Sequence, residues 1–136
     1  MSLTNEERQI IVNLELEKAQ KTFEAMELCV REKAFESAAN RIYYAVFHVV
    51  SALLISKGFG VKSHRGVMAL FGEHFVRTGI FTKADGALFS DLVIMRDNAD
   101  YNCFYEATEE KLSPYIEPTR LLIEKIKRYI KEGKSN

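Results

Sequence analysis

The stretch MRDNADYN, residues 95–102, gathers a guanidinium, two carboxylates, two carboxamides and a phenol within eight positions. It follows LFSDLVI, in which Leu88, Phe89, Leu92 and Val93 fall eight, seven, four and three positions before Arg96. Arg96 therefore continues the stripe that should face a core, and Asp100 lies one turn further along the same face. A guanidinium in such a place can grip a phosphate through paired N–H donors. It can equally form an internal ion pair with Asp97 or Asp100 that locks the helix end. Both readings stand at this point. The ion pair alone explains the stretch poorly, because carboxylates near a helix C-terminus oppose its dipole and arginine before aspartate is the weaker order. Asn98 and Asn102 can serve as C-caps.

The elements that must position these groups are helical. TNEE reads as a capping box, Thr4 with Glu7, opening a helix to about Glu32. Its apolar stripe is read as Ile10, Ile11, Leu14, Ala19, Phe23, Met26 and Val30. A second helix runs from about Phe35 to Lys57 and ends at Gly58. Ser63 caps a third that ends near Gly79, and Thr82 caps a fourth that carries MRDNADYN. A last helix spans about Thr108 to Lys131. Within it Ser113 reads as a cap for Pro114, while Pro118 removes a bond and imposes a bend or a late start. No segment alternates for long enough to be a strand. The fold class expected is all-α, a four- to five-helix bundle in one domain over residues 1–136 with its core at about 8–130.

The second helix, ESAANRIYYAVFHVVSALLISKG, is apolar almost all round except for one polar stripe: Ser37, Asn40 or Arg41, Tyr44, His48, Ser51. A polar stripe on a buried helix needs a polar counterpart, and Arg96 with Asp100 offers one. Histidines are the remaining candidates. His48 among valines reads first as a core imidazole satisfied by one neighbour. His64 in KSHRG reads as part of a helix start, and with Lys62 and Arg65 it forms a basic trio able to touch a phosphate. His74 reads as surface or packing.

Composition narrows the classes. With 19 basic and 19 acidic residues, the chain has no net charge and no global field to draw it onto nucleic acid or anionic membrane, so any such contact must be local. Cys29 and Cys103 are too few and too scattered for a disulfide framework or a zinc site, which favours a reducing cytoplasm. The start MSLTNEERQ is polar and lacks the apolar core of a signal peptide. The run AVFHVVSALLI is about half a membrane span and reads as a buried helix rather than an anchor. No metal-ligand spacing, P-loop, GxGxxG or nucleophile elbow is present. No metal or cofactor is expected.

Three segments in this order and spacing, NRIYYAVFHVVSALL, SHRGVMALFGEHFVRTG and Arg96 to Tyr101, resemble the HEPN domain superfamily. The likeness is to its small stand-alone bacterial and archaeal members, over about residues 8–130. It implies an up-and-down all-α bundle. Many such proteins are metal-independent ribonucleases that act as toxins, in defence or in RNA processing. They form homodimers in which an Arg-x(4–6)-His motif from each chain builds one cleft. Small members are often paired with a minimal nucleotidyltransferase as antitoxin, which can adenylylate a tyrosine near the motif.

By position, Arg96 is the motif arginine and Asp97 the polar residue after it. The motif histidine would fall at Tyr101 to Cys103, and none stands there. Tyr101 holds the four-spacer place. An imidazole titrates near 6.5 and a tyrosine near 10, so Tyr101 is a poor general base at neutral pH. His48 is the substitute imidazole that the sequence offers. The expectation is a cleft where Arg96, Tyr101 and His48 carry any catalysis. Arg96, Asp97, Asn98, Tyr44, Asn40 and His64 would bind RNA or nucleotide phosphate, and Tyr101 would be the residue modified. Alternatives are a ribonuclease with a degenerate motif and a non-catalytic helical scaffold.

Overall fold

The structure, a computed structural model, describes residues 3–133. Residues 1–2 and 134–136, the ends of the expected domain and the start of the polar N-terminal stretch, lie outside the described residues. The described residues form five longer α-helices and one single α-helical turn: α1 Asn5–Arg31, α2 Phe35–Ser56, α3 His64–Phe71, α4 Lys83–Tyr101, α5 Glu109–Leu112 and α6 Ile116–Glu132. There is no strand among the described residues. The all-α bundle expected from the sequence is the fold observed.

Local chemistry accounts for the boundaries. Thr4 and Thr82 each form a complete capping box, with Glu7 and Asp85 returning the bond to the cap's backbone N–H. Ser63 and Thr108 accept from the third residue on, at 3.0 and 3.3 Å. Each such cap contributes about 1 kcal/mol. At the end of α2, Gly58 adopts φ 88°, and the N–H groups of Gly58 and Phe59 return to the carbonyls of Ile55 and Leu54. That is a Schellman closure, which only a left-handed residue completes easily.

Two sequence readings need correction here. In α1 the buried residues are Val12, Ala19, Thr22, Phe23 and Met26, while Ile10 and Leu14 are exposed. The run Ile10, Ile11, Val12 offers three apolar phases, and the helix takes the one that continues Ala19 and Phe23 at helical spacing. Ser113 does not cap α6. Thr108 opens the single turn α5, the chain passes through a 3-10 turn at Ser113–Tyr115, and α6 starts at Ile116. This places Pro118 in the first turn of α6, where its missing N–H would have had no partner.

Helix α2 is the centre, in packing contact with α1, α3, α4 and α6. It buries twelve residues, from Ala38 to Leu54, on nearly every face. Its alanines at 38, 39, 45 and 52 are at most 1% exposed and leave room for close neighbours. By length and apolarity the whole of Phe35–Ser56 could cross a membrane, more than the eleven-residue run implied, and 67% of its apolar window is buried within the bundle. An aromatic cluster of Phe71, Phe75, Phe81, Phe89 and Tyr129 joins α3, α4 and α6. Between α3 and α4 the chain takes one π-helical turn at Gly72–Val76, closed by Arg77 N–H to Gly72 C=O at 2.8 Å. The periodicity of the sequence does not announce it.

Candidate functional site

Arg96 continues the inward face of α4 after Leu88, Phe89, Leu92 and Met95 have been buried. Its side chain is 17% exposed. Nη1 donates to Asp97 Oδ1 at 2.9 Å, and Nη2 donates to Tyr44 Oη at 3.0 Å. Nε lies 3.2 Å from Asp100 Oδ2 but is not aligned for a hydrogen bond, so this buried N–H has no bonded partner. The Cζ atom stands 5.4 Å from the ring centres of Tyr43, Tyr44 and Tyr101. Three rings and a phenol thus hold the guanidinium as much as the carboxylates do. Cation–π contacts of this kind supply about 0.5–1 kcal/mol each when partly exposed. Burial alone would weaken the cation. The Asp97 bond, with Tyr44, Tyr101 and Asp100 nearby, more than offsets it and raises the Arg96 pKa above its ordinary value.

The second feature comes from α3. His64 is its first residue, and His64 Nδ1 meets Tyr43 Oη at 2.6 Å. Its ring stacks on Phe47 with centroids 4.4 Å apart. The Ser63 cap fixes the start of that helix, and a Cβ on Gly66 would stand 2.9 Å from Ser63 Oγ. His64, Arg65, Tyr43 and Met68 on one side, with Val93, Arg96 and Asp97 on the other, line an open pocket of about 330 Å³. Arg65 is exposed and has no acidic partner within salt-bridge distance among the described residues.

Burial pushes the Tyr43 phenol up to about 12. The His64 pKa is lowered, by burial first and then by the Arg96 cation and His48. Tyr43 is therefore a neutral hydroxyl and His64 a neutral imidazole at pH 7. The Tyr43 shift bears on stability. A phenol whose folded pKa exceeds its unfolded value of about 10 stabilises the fold below pH 10, and that contribution is lost as pH rises from 10 to 12. Urea unfolding of the wild type should therefore weaken across this window by more than that of Tyr43→Phe. Equal losses would show that Tyr43 is not held protonated by burial.

The remaining candidates divide. Asn40 Nδ2 donates to Asp100 Oδ2 at 2.9 Å, so the polar stripe of α2 does meet α4 through Asn40 and Tyr44. Arg41 donates to Asn40 Oδ1 and also lies over the Tyr44 ring, 5.5 Å from its centre. Further along the stripe the match fails. His48 Nδ1 pairs with Glu15 Oε2 of α1 at 3.2 Å, and Ser51 is buried in the core without a hydrogen-bond partner. Asn98 is not with Arg96 either. Two residues on, it points to another side of α4, where it lines a shallow pocket with Ile94, Tyr105 and Lys111 and accepts from Asn102 Nδ2 at 3.2 Å. Tyr101 is 73% exposed, at the rim. Lys62 and His74 are exposed. Sequence reasoning missed Tyr43, which looks like one more core residue of an apolar helix. The available signal was that a buried tyrosine hydroxyl needs a partner.

The chain is similar to known proteins over most of its length. The HEPN domain matches residues 12–129. A UPF0332 protein of Thermotoga maritima is 32% identical over 128 residues, 94% of this chain and 97% of its own length. Two proteins of Methanocaldococcus jannaschii are similar to the same degree. "Putative toxin MJ0605" is 32% identical over 86% of this chain and 87% of its own length, and "Putative toxin MJ0142" is 31% identical over 85% and 78%. Match and relatives each cover most of the chain, including α2, the SHRG segment and Arg96 to Tyr101, and so the chain belongs to the HEPN domain family.

Proposed function

We propose that the Arg96 cleft binds RNA or nucleotide phosphate, and that the protein works as a homodimer in a toxin–antitoxin-type pair with a minimal nucleotidyltransferase. One observation carries the reading: Arg96 sits at an open pocket beside His64 and the exposed Arg65, with aromatic rings around it. A phosphate there would take paired donors from Arg96 in exchange for its contact with the exposed Asp97. Tyr101 at the rim offers a face on which an unstacked base can lie, the usual way single-stranded RNA is held. The same exposure makes its hydroxyl reachable by a nucleotidyltransferase. Ile94 on α4 and Phe104 just beyond its end, at 60% and 95% exposure, leave apolar surface for a second copy to cover. The names of the archaeal relatives support the toxin half of the pair.

Expression in a bacterial host is the test. The wild type should slow growth, and Arg96→Ala at equal soluble level should not. Co-expression of a nucleotidyltransferase encoded beside it should restore growth in the wild type. Arrest that persists undiminished in Arg96→Ala would overturn the reading.

A further inference from the structure

We propose that His64, held by Tyr43, is the proton-transfer group of the Arg96 cleft, so that the imidazole absent from the Arg96–Cys103 segment is supplied from the start of α3. The inference rests on the cleft being an RNA phosphate site and goes beyond it by assigning the acid–base group. His48 had been the expected substitute, but its Nδ1 is engaged by Glu15 of α1. His64 lines the same pocket as Arg96. Its Nδ1 is oriented by a hydroxyl at 2.6 Å, its ring is backed by Phe47, and its Nε2 has no hydrogen-bond partner among the described residues. A hydroxyl both donates and accepts, so Tyr43 serves either tautomer. When Nδ1–H donates to Tyr43 Oη, Nε2 is free to take a proton.

The step is a transesterification within RNA. Nε2 of His64 takes the proton of a ribose 2′-hydroxyl as its oxygen bonds to the adjacent phosphorus. The bond from phosphorus to the 5′-oxygen breaks, its electron pair stays on that oxygen, and water protonates it. The imidazolium then returns its proton to the hydroxide left behind. The products are a 2′,3′-cyclic phosphate and a 5′-hydroxyl, with nothing oxidised or reduced. Arg96 offsets the charge that develops on the non-bridging oxygens. The charged and titratable groups around His64 are Tyr43, Tyr44 and His48 from α2, Arg96 and Asp97 from α4, and Arg65 beside it. Burial first and then the Arg96 cation lower the His64 pKa, which keeps the imidazole in its basic form at neutral pH.

The test separates binding from cleavage. A labelled oligoribonucleotide in EDTA reports cleavage, and its 2′-O-methyl analogue, which cannot react, reports binding by anisotropy. His64→Gln and His64→Ala should lose cleavage by about 10²–10⁴-fold, a loss far larger than any weakening of their binding to the analogue. Added imidazole should restore part of the rate in His64→Ala. The wild-type rate should rise with pH through an inflection below about 6.5, and Tyr43→Phe should displace that inflection. Failure of the wild type to bind the analogue would remove the phosphate-site reading itself. Binding without cleavage by the wild type, or undiminished cleavage by both His64 variants, would overturn the role of His64 alone.

Discussion

Arg96→Ala is expected to weaken RNA binding by about 1.5–3 kcal/mol, roughly 10- to 150-fold, the value of a charge-assisted bidentate contact. Its cost to the fold should be smaller, about 1–2 kcal/mol, because the carboxylates it leaves behind are not stranded. Asp97 is 54% exposed, and Asp100, at 24%, keeps its bond from Asn40. A fully buried pair would cost about 3–5 kcal/mol, and exposure discounts that figure. Arg96→Lys keeps the charge but loses the planar fork, and should recover less than half of the lost binding. Urea unfolding and RNA anisotropy on the same preparations check both halves. A variant that unfolds while its folded fraction binds as well as wild type would assign Arg96 to structure alone.

The larger effect on the fold is expected from Phe89→Ala. The Phe89 ring is fully buried, with its centre 6.2 Å from both Tyr43 and Phe71. It is the piece of α4 that α2 and α3 share. Truncating a buried phenylalanine costs about 3–5 kcal/mol, from lost transfer energy and the cavity left behind. Against a total of about 5–15 kcal/mol, this should lower the thermal midpoint by about 10–20 °C. Because the cavity opens beside Tyr43, binding at the cleft should weaken in the folded fraction as well. Leu14→Ala is the control. That side chain, on α1, is 59% exposed, and its loss should stay within about 0.5 kcal/mol. A mild effect of Phe89→Ala, measured by calorimetry, would mean that α4 does not depend on this contact.

Helix starts and stops were legible because each rests on a local interaction. Thr4, Ser63 and Thr82 announce caps that their own neighbours complete, and Gly58 supplies the left-handed residue that closes α2. The polar stripe of α2 was legible as far as Tyr44, since buried polar groups need partners and Arg96 with Asp100 was the available surface. What was not legible depends on the exact phase of a helix or on contacts distant in sequence. Ile10 and Val12 differ by only two positions, yet one faces water and the other the core. Arg96 and Asn98 likewise lie about 200° apart around α4, so a motif counted along the chain joined residues that the helix separates. Tyr43 and His64 stand 21 residues apart, and nothing local to either announces the other. His48, in the more suggestive apolar setting, pairs with Glu15 of α1, while His64 lines the pocket beside Arg96.

Chemical-shift mapping tests the central claim most directly. The amide and side-chain signals of the protein would be followed while an oligoribonucleotide carrying 2′-O-methyl groups is added in EDTA. The account predicts that the shifts concentrate on Tyr43, Tyr44, His64, Arg65, Arg96 and Asp97, and that they vanish in a folded Arg96→Ala variant. Shifts confined to another face of the bundle, or unchanged in that variant, would contradict it.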